Sequence, residues 1–330
     1  MHIIALGVFS FMEVCMPNFL TYEQQVTKLE QLGIVAASTS DVIPAIKFHG
    51  YDKIVTDYIK TLTETETNIP FRTVESLVLF DFDLQTLLFK YIIQSETTLK
   101  TLFSHKIGHK FGIKKSEYLN HNKYQNPKPV ERRIEFINNK FVKRKSFSKD
   151  PFAKYTDEEN IPPWLYFSQV DLGDFINFYS EIDIDIKQDI AKDLITQKKA
   201  MLISDKNELV ISSIKFMHSF RNKIAHGQHC FSFNTNKNIK FDNIAALASS
   251  EVISSTEYSK LNERIYILLL LVIIINPYKL IRDNFISDIN ILYDSYHNKF
   301  GNEFIQYFHS VSGIPTDYKY RLDVLNRSLW

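Results

Sequence analysis

Residues 74–103 read VESLVLFDFDLQTLLFKYIIQSETTLKTLF. Val74, Leu77, Val78, Asp81, Leu84, Leu88, Tyr91, Ile92, Leu99 and Leu102 recur at steps of three, four or seven, while Glu75, Asp83 and Lys90 fall off that stripe. This is the period of one apolar helix face, so the spacing predicts a long helix from about Val74 to Phe103. The signals on either side are also helical. Upstream, Thr21 precedes a polar and apolar helical pattern through Val26 and Leu29, and Gly33 stands where a C-terminal cap is expected. Downstream, Ile161-Pro162-Pro163-Trp164 interrupts the chain, because proline cannot sit inside a helix and biases its predecessor to extended geometry. Further helices are predicted over 165–179, 182–195, 207–225, 256–275 and 279–296.

Composition agrees with this pattern. The chain has 330 residues, 45% hydrophobic and 14% aromatic, enough for a large packed core and unlike a disordered protein. Nine Gly and ten Pro are too few for the turns of a many-stranded β fold. An all-α fold follows, with no fixed-period repeat and no sustained heptad seam. The apolar run Ile265 to Ile275 is well short of the roughly 20 residues of a bilayer span, so it reads as a buried core helix and no membrane partner is expected. The opening MHIIALGVFSFMEVC has no Lys or Arg before its apolar stretch, Glu13 near its end and no A-x-A pattern, which fits a signal peptide poorly. Residues 1–16 are expected to be an extension. Residues 17–330 are expected to form one helical domain: N-terminal helices over 17–115, a basic connecting segment over 116–162 and motif-bearing helices over 163–330. With only Cys15 and Cys230, no disulfide framework or unaided structural zinc site is available, and a reducing cytoplasm is the expected location.

The formal net charge is +1, which taken alone argues against a general nucleic-acid-binding surface. Its distribution is uneven. Residues 100–154 hold fifteen Lys or Arg and four acids, a local charge of +11 that leaves −10 for the rest. Phe111, Tyr118, Tyr124, Phe136, Phe141 and Phe147 are interleaved, a mixture suited to phosphate contact and base stacking. Lys106, Lys110, Lys114, Lys115, Arg132, Arg133, Lys140, Lys143, Arg144 and Lys145 are the candidate RNA-binding residues. The competing reading is a solvated charged face whose aromatics point to the core.

The segment Asn207 to Gly227, NELVISSIKFMHSFRNKIAHG, places Val210, Ile214, Met217 and Ile224 on one stripe, with Gly227 as a natural residue after the helix end. Arg221, Asn222 and His226 then lie in the last turns. Asn222 and His226 share a face, while Arg221 is about 100° from Asn222. A helix C-terminus favours a cationic side chain. His can exchange a proton with a ribose 2′-OH or a leaving 5′ oxygen, Arg can neutralise charge building on phosphorus, and Asn can orient either group. The spacing alone has little specificity, since about one R-x(4 to 6)-H match is expected by chance in such a chain. His226, His229 and Cys230, with His218 two turns earlier, are metal-ligand types, but their spacing is not that of a zinc site, and no metal or cofactor is expected. No P-loop, GxGxxG or G-x-S-x-G sequence occurs.

Six blocks in order carry a family likeness: FLTYEQQVTKLEQLGI (Phe19 to Ile34), FDFDL (Phe80 to Leu84), ETTLKT (Glu96 to Thr101), PPW (Pro162 to Trp164), DLGDFINFY (Asp171 to Tyr179) and FRNKIAHG (Phe220 to Gly227). In these the chain resembles the AbiD/AbiF abortive-infection family of bacterial phage-defence proteins, within the HEPN class of α-helical ribonucleases. The last 95 residues match only in being helical. The resemblance implies an HEPN-type helical bundle with additional N- and C-terminal helices and a metal-independent, toxin-like endoribonuclease that leaves a 2′,3′-cyclic phosphate. It places Arg221 and His226 on the family's catalytic positions, Asn222 on the polar position after the Arg, and Glu96 on an acidic position of the long helix, where a pair with Lys100 is the alternative. DLG stands where the family tends to have SFG, Ser168 where an acid is common, and Lys100 where an Arg is usual. With one motif copy per chain, the resemblance implies a homodimer that forms a composite site. The expected partner is RNA, either tRNA or a small non-coding RNA, with a phage-derived trigger. Two alternatives are a non-catalytic RNA-binding protein on the same scaffold and a helical protein that binds only another protein.

Overall fold

The computed structural model describes residues 19–63, 68–196 and 201–329, so the extension expected at 1–16 lies outside the described residues. Among the described residues the regular structure is helical apart from two strands of two residues each, and the chain divides after Val78 into two compact units.

The first unit contains α1 (Tyr22–Gln31), β1 (Ile34–Val35), α2 (Thr39–His49), α3 (Tyr51–Ile54), a π-helical turn (Val55–Ile59), α4 (Lys60–Thr63) and β2 (Ile69–Pro70). Thr21 caps α1 as its sequence predicts: the Gln24 N–H donates to Thr21 Oγ1 at 3.3 Å, and the Thr21 N–H donates to Gln24 Oε1 at 2.9 Å. The two short strands pair in parallel, with Ile34 opposite Ile69.

The long helix predicted over 74–103 is α5, Phe71–Phe111, and the division between the units falls inside it. The second unit continues with α6 (Lys115–Tyr118), α7 (Pro127–Lys143), α8 (Pro163–Ser168), α9 (Leu172–Glu181), α10 (Ile184–Leu194) and α11 (Ile203–Ala225). It ends with α12 (Phe241–Ala245), α13 (Ser255–Leu261), α14 (Ile265–Ile274), α15 (Lys279–Ser312) and α16 (Tyr318–Ser328). Pro127 opens α7 at its first turn, where a missing N–H costs nothing. Val130, Ile134, Ile137 and Phe141 form the buried stripe of that helix. Phe103 of α5 makes edge-on contacts with Phe167 of α8 and with Phe175 and Phe178 of α9, at ring separations of 4.7, 5.0 and 5.9 Å. Helix α9 therefore lies at the centre of this arrangement, packed against α7 on one side and α11 on another.

Three predicted helices differ in extent. The segment 165–179 is two helices, broken at 169–171, and the break frees the Val170 carbonyl to accept from buried Lys100 Nζ at 2.6 Å. The segment 256–275 breaks at 262–264, where the Glu263 carbonyl accepts from the Thr235 N–H at 2.9 Å. The last predicted helix runs on to Ser312 past a non-helical Gly301. All ten residues of α14 are buried, and α11, α13, α15 and α16 surround it. That environment explains an apolar run with no polar face. Among the described residues, no helix is long and apolar enough to cross a membrane.

Candidate active site at the end of helix α11

The end of α11 is fixed by its backbone. His226 is the C-cap, and Gly227 follows at φ +64°, a left-handed conformation that a side chain would strain. The Gly227 N–H donates to the Ile224 carbonyl at 2.9 Å and the Gln228 N–H to the Lys223 carbonyl at 3.1 Å, the paired bonds of a Schellman ending. The chain beyond is anchored by Asp81 of α5, which is fully buried. Its carboxylate accepts from the Cys230 and Phe231 N–H groups at 3.1 Å, from Cys230 Sγ at 3.0 Å and from Gln85 Nε2 at 2.7 Å. Burial, with the Asp81 charge beside it, pushes the Cys230 thiol well above its usual value, so this cysteine is a structural donor and not a nucleophile.

Between the cap and the core, α11 carries a polar stripe. His226 is exposed, and its imidazole makes no hydrogen bond or ion pair among the described residues. One turn earlier, Asn222 is half-buried, with its Nδ2 3.2 Å from His218 Nε2. Arg221 Nη1 makes a long hydrogen bond of 3.4 Å to Asn222 Oδ1, and Arg221 Nε is buried without a partner. His218 lies against Gly173 of α9: a Cβ there would sit 3.2 Å from the ring's Cε1 and 3.3 Å from Nε2. The glycine of the DLG block thus admits a close approach of the imidazole that a Cβ would crowd by a few tenths of an ångström. Burial, reinforced by the Arg221 charge, holds His218 below the usual imidazole range, while Glu96 and Asp174 act in the opposite direction. Glu96 makes a 2.6 Å ion pair with Lys100, the partner its spacing suggests, and both side chains are largely buried. Glu96 Oε2 has no partner, so this carboxylate lies within the electrostatic reach of His218 with one oxygen uncommitted.

The structure thus groups Arg221, Asn222 and His226 at one helix end, and it brings Glu96 within electrostatic reach of His218, one turn before Asn222. It adds His218, Gly173, Asp174 and Asp81, which the sequence reading did not assign to a site. A signal for Asp81 was present, because an acid on the buried stripe of α5 needs donors. His218 stood out in the sequence only as a metal-ligand type two turns before His226, not for this role. Among the described residues, no group of three or more His, Cys, Asp or Glu side chains is placed to hold a metal ion.

The basic stretch is organised differently from what its composition suggests. Phe111, Tyr118, Tyr124 and Phe141 are buried, so they belong to the core and cannot stack on bases; Phe136 is exposed and Phe147 partly so. Residues 157–193 carry ten acids and two lysines, and much of the positive charge is answered there. Lys106 pairs with Asp193 at 2.8 Å, Lys110 with Asp183 and Asp185 at 2.8 and 2.7 Å, and Lys115 with Glu158 at 2.8 Å. Lys140 pairs with Asp174 and Asp171 at 2.5 and 3.3 Å, Arg144 with Asp171 at 2.9 Å, and Arg133 more loosely with Glu181 at 3.8 Å. Of the ten candidate RNA contacts, Lys114, Arg132, Lys143 and Lys145 have no ion pair among the described residues, and all four are exposed. Lys149 and Lys154 share that condition.

Fold and site together define an all-α protein with a polar, solvent-open helix end as its candidate centre. The sequence model of the family described as Abi-like protein matches residues 44–232, more than half of the chain and including α11 entire. The chain belongs to the Abi-like family. No curated protein and no solved structure matches it.

Proposed function

We propose that this protein is a metal-independent endoribonuclease of the HEPN class, active in abortive-infection defence. The observation that carries this reading is the arrangement at the end of α11 in a member of the Abi-like family: an exposed, uncommitted imidazole at His226, one turn beyond Asn222 and Arg221. In the proposed reaction a base takes the proton of a ribose 2′-OH, and the 2′ oxygen attacks phosphorus. The P–O5′ bond breaks, and an acid protonates the leaving oxygen, giving a 2′,3′-cyclic phosphate and a 5′-OH. His226 supplies one of these proton transfers and Arg221 faces the charge that builds on the phosphoryl oxygens. The reaction needs a second proton-transfer group. A second copy of the chain in a homodimer supplies another His226, which makes dimerisation part of the mechanism.

The test is cleavage of end-labelled RNA by purified protein in EDTA. Wild-type protein is expected to leave cyclic phosphate ends, and a variant with both Arg221 and His226 changed to Ala is expected to be inactive and harmless to cells. Continued cleavage by the double variant overturns the assignment. The second reading, an RNA-binding protein without catalysis, is favoured by the engagement of Arg221 and Asn222 in bonds within their own helix. It predicts that His226→Ala binds RNA and functions as the wild type does.

A further inference from the structure

Taking the 3.4 Å contact between Arg221 Nη1 and Asn222 Oδ1 as a hydrogen bond sets the polarity of the whole stripe. A guanidinium has only donors, so the amide atom of Asn222 that faces Arg221 must be its oxygen. The NH2 of the same amide then faces His218, 3.2 Å from Nε2. Nε2 must therefore be an acceptor, which requires a neutral ring with its proton on Nδ1. We propose that His218 is a positioning residue: its neutral imidazole holds the Asn222 amide with the oxygen toward Arg221, and protonation of His218 releases that hold. An imidazolium offers Nε2–H to a group that is itself a donor. Asn222 must then turn its amide over, directing its NH2 at a guanidinium that cannot accept. One amide oxygen cannot serve two cations on opposite sides.

The surroundings of the ring are those of a poised switch. Arg221 on the same helix and Lys237 on the chain after it oppose protonation; Glu96 of α5 and Asp174 of α9 favour it. Burial, the largest influence, also opposes it. Gly173 lets α9 approach the ring closely enough to confine its position. Asp174 additionally pairs with Lys140, so changes on α7 reach His218 through one carboxylate.

The geometry of the proposal stands apart from the nuclease reading; its effect on turnover rests on that reading. The test is nitrogen-15 NMR of the full-length wild-type protein across pH, with His218 and the Asn222 side-chain amide followed together. The expected result is an Nδ1–H tautomer near neutral pH, with the Asn222 amide signals moving in step with the titration of His218. An Nε2–H tautomer, or an Asn222 amide indifferent to that titration, overturns the proposal, and no variant is needed to see either. In the activity arm, His218→Lys, a permanent donor, should lower kcat by about tenfold to a hundredfold with little change in KM. His218→Gln, which can still accept, should recover most of that loss and flatten the acid side of the pH profile. If wild-type protein cuts no RNA while the NMR result holds, the nuclease reading fails and the positioning role survives.

Discussion

The stretch 100–154 and the end of α11 are both conspicuously polar, yet they are finished in opposite ways. In the stretch, most of the candidate cations are satisfied from within the chain, by acids on the segments that carry α8, α9 and α10. At the end of α11 the groups pass from a hydrogen-bonded, half-buried His218 to an exposed His226 with no hydrogen bond or ion pair among the described residues. The difference teaches that a local charge read from sequence measures what must be neutralised, not what is presented to a ligand. A +11 segment followed by an acidic one is a folding instruction before it is a binding surface.

The sharpest way to break this comparison is at His226. Its exposed side chain makes no hydrogen bond or ion pair among the described residues, so His226→Ala should leave the melting temperature nearly unchanged while lowering RNA cleavage by about 10²–10⁴-fold. A large loss of stability instead would mean that the open end is structural. Asp81 is the converse. Replacing it by Ala leaves two backbone N–H groups and the Gln85 amide without their acceptor in the buried interior, at about 1–3 kcal/mol each before relaxation. A loss of at least about 3 kcal/mol is expected in urea unfolding, since the carboxylate anchors the chain just beyond the α11 cap. If Asp81→Ala melts like the wild type, Asp81 does not fix the position of that turn.

Within the basic stretch the comparison becomes internal. Lys143, Lys145 and Lys149 are exposed and without ion pairs among the described residues, whereas Lys106 and Lys110 are held by Asp193, Asp183 and Asp185. Reversing the first three to Glu should weaken RNA binding at least about tenfold and flatten its salt dependence, because each lost phosphate contact removes roughly 0.7–0.9 from the logarithmic slope. Changing Lys106 and Lys110 to Gln should leave binding nearly intact and cost stability instead, readable in a thermal melt. Equal effects of the two sets on binding would show that the internal pairs open when RNA arrives.

Much of this was legible in the sequence, and the missing part has a physical reason. Local pattern fixed α5, the Thr21 cap, the wholly buried α14 and the end of α11 at Gly227, because each depends on residues within a turn or two. The breaks at 169–171 and 262–264 were not legible, because they follow from partners far along the chain: Lys100 for the Val170 carbonyl, Thr235 for that of Glu263. The same holds for the site. Arg221, Asn222 and His226 share one helix end, whereas the place of His218 depends on Gly173 arriving from another helix. The acids of 157–193 are as plain in the sequence as the lysines before them; which faces would meet was set by the packing of α7 on α9.

The smallest expected effect lies where paired and unpaired charges adjoin. Hydrogen bonding from Arg144, and then from Lys140, holds the Asp171 carboxyl below the usual carboxylate range, with burial working the other way. A depressed folded value means that this group's contribution to stability is present above the unfolded value of about 3.9 and is lost as pH falls through the folded one. The carboxylate is nearly half exposed, so its whole contribution should stay below about 1 kcal/mol, and Asp171→Asn should melt within a few degrees of the wild type at pH 7 while losing part of the acid sensitivity below pH about 4. The same substitution frees Arg144, which has no other ion pair among the described residues, beside the already open Lys143 and Lys145. RNA affinity should therefore rise slightly and its salt slope steepen by up to about 0.9, a change opposite in sign to that of the lysine reversals. A variant that binds RNA as the wild type does would place the RNA surface away from this corner of α7.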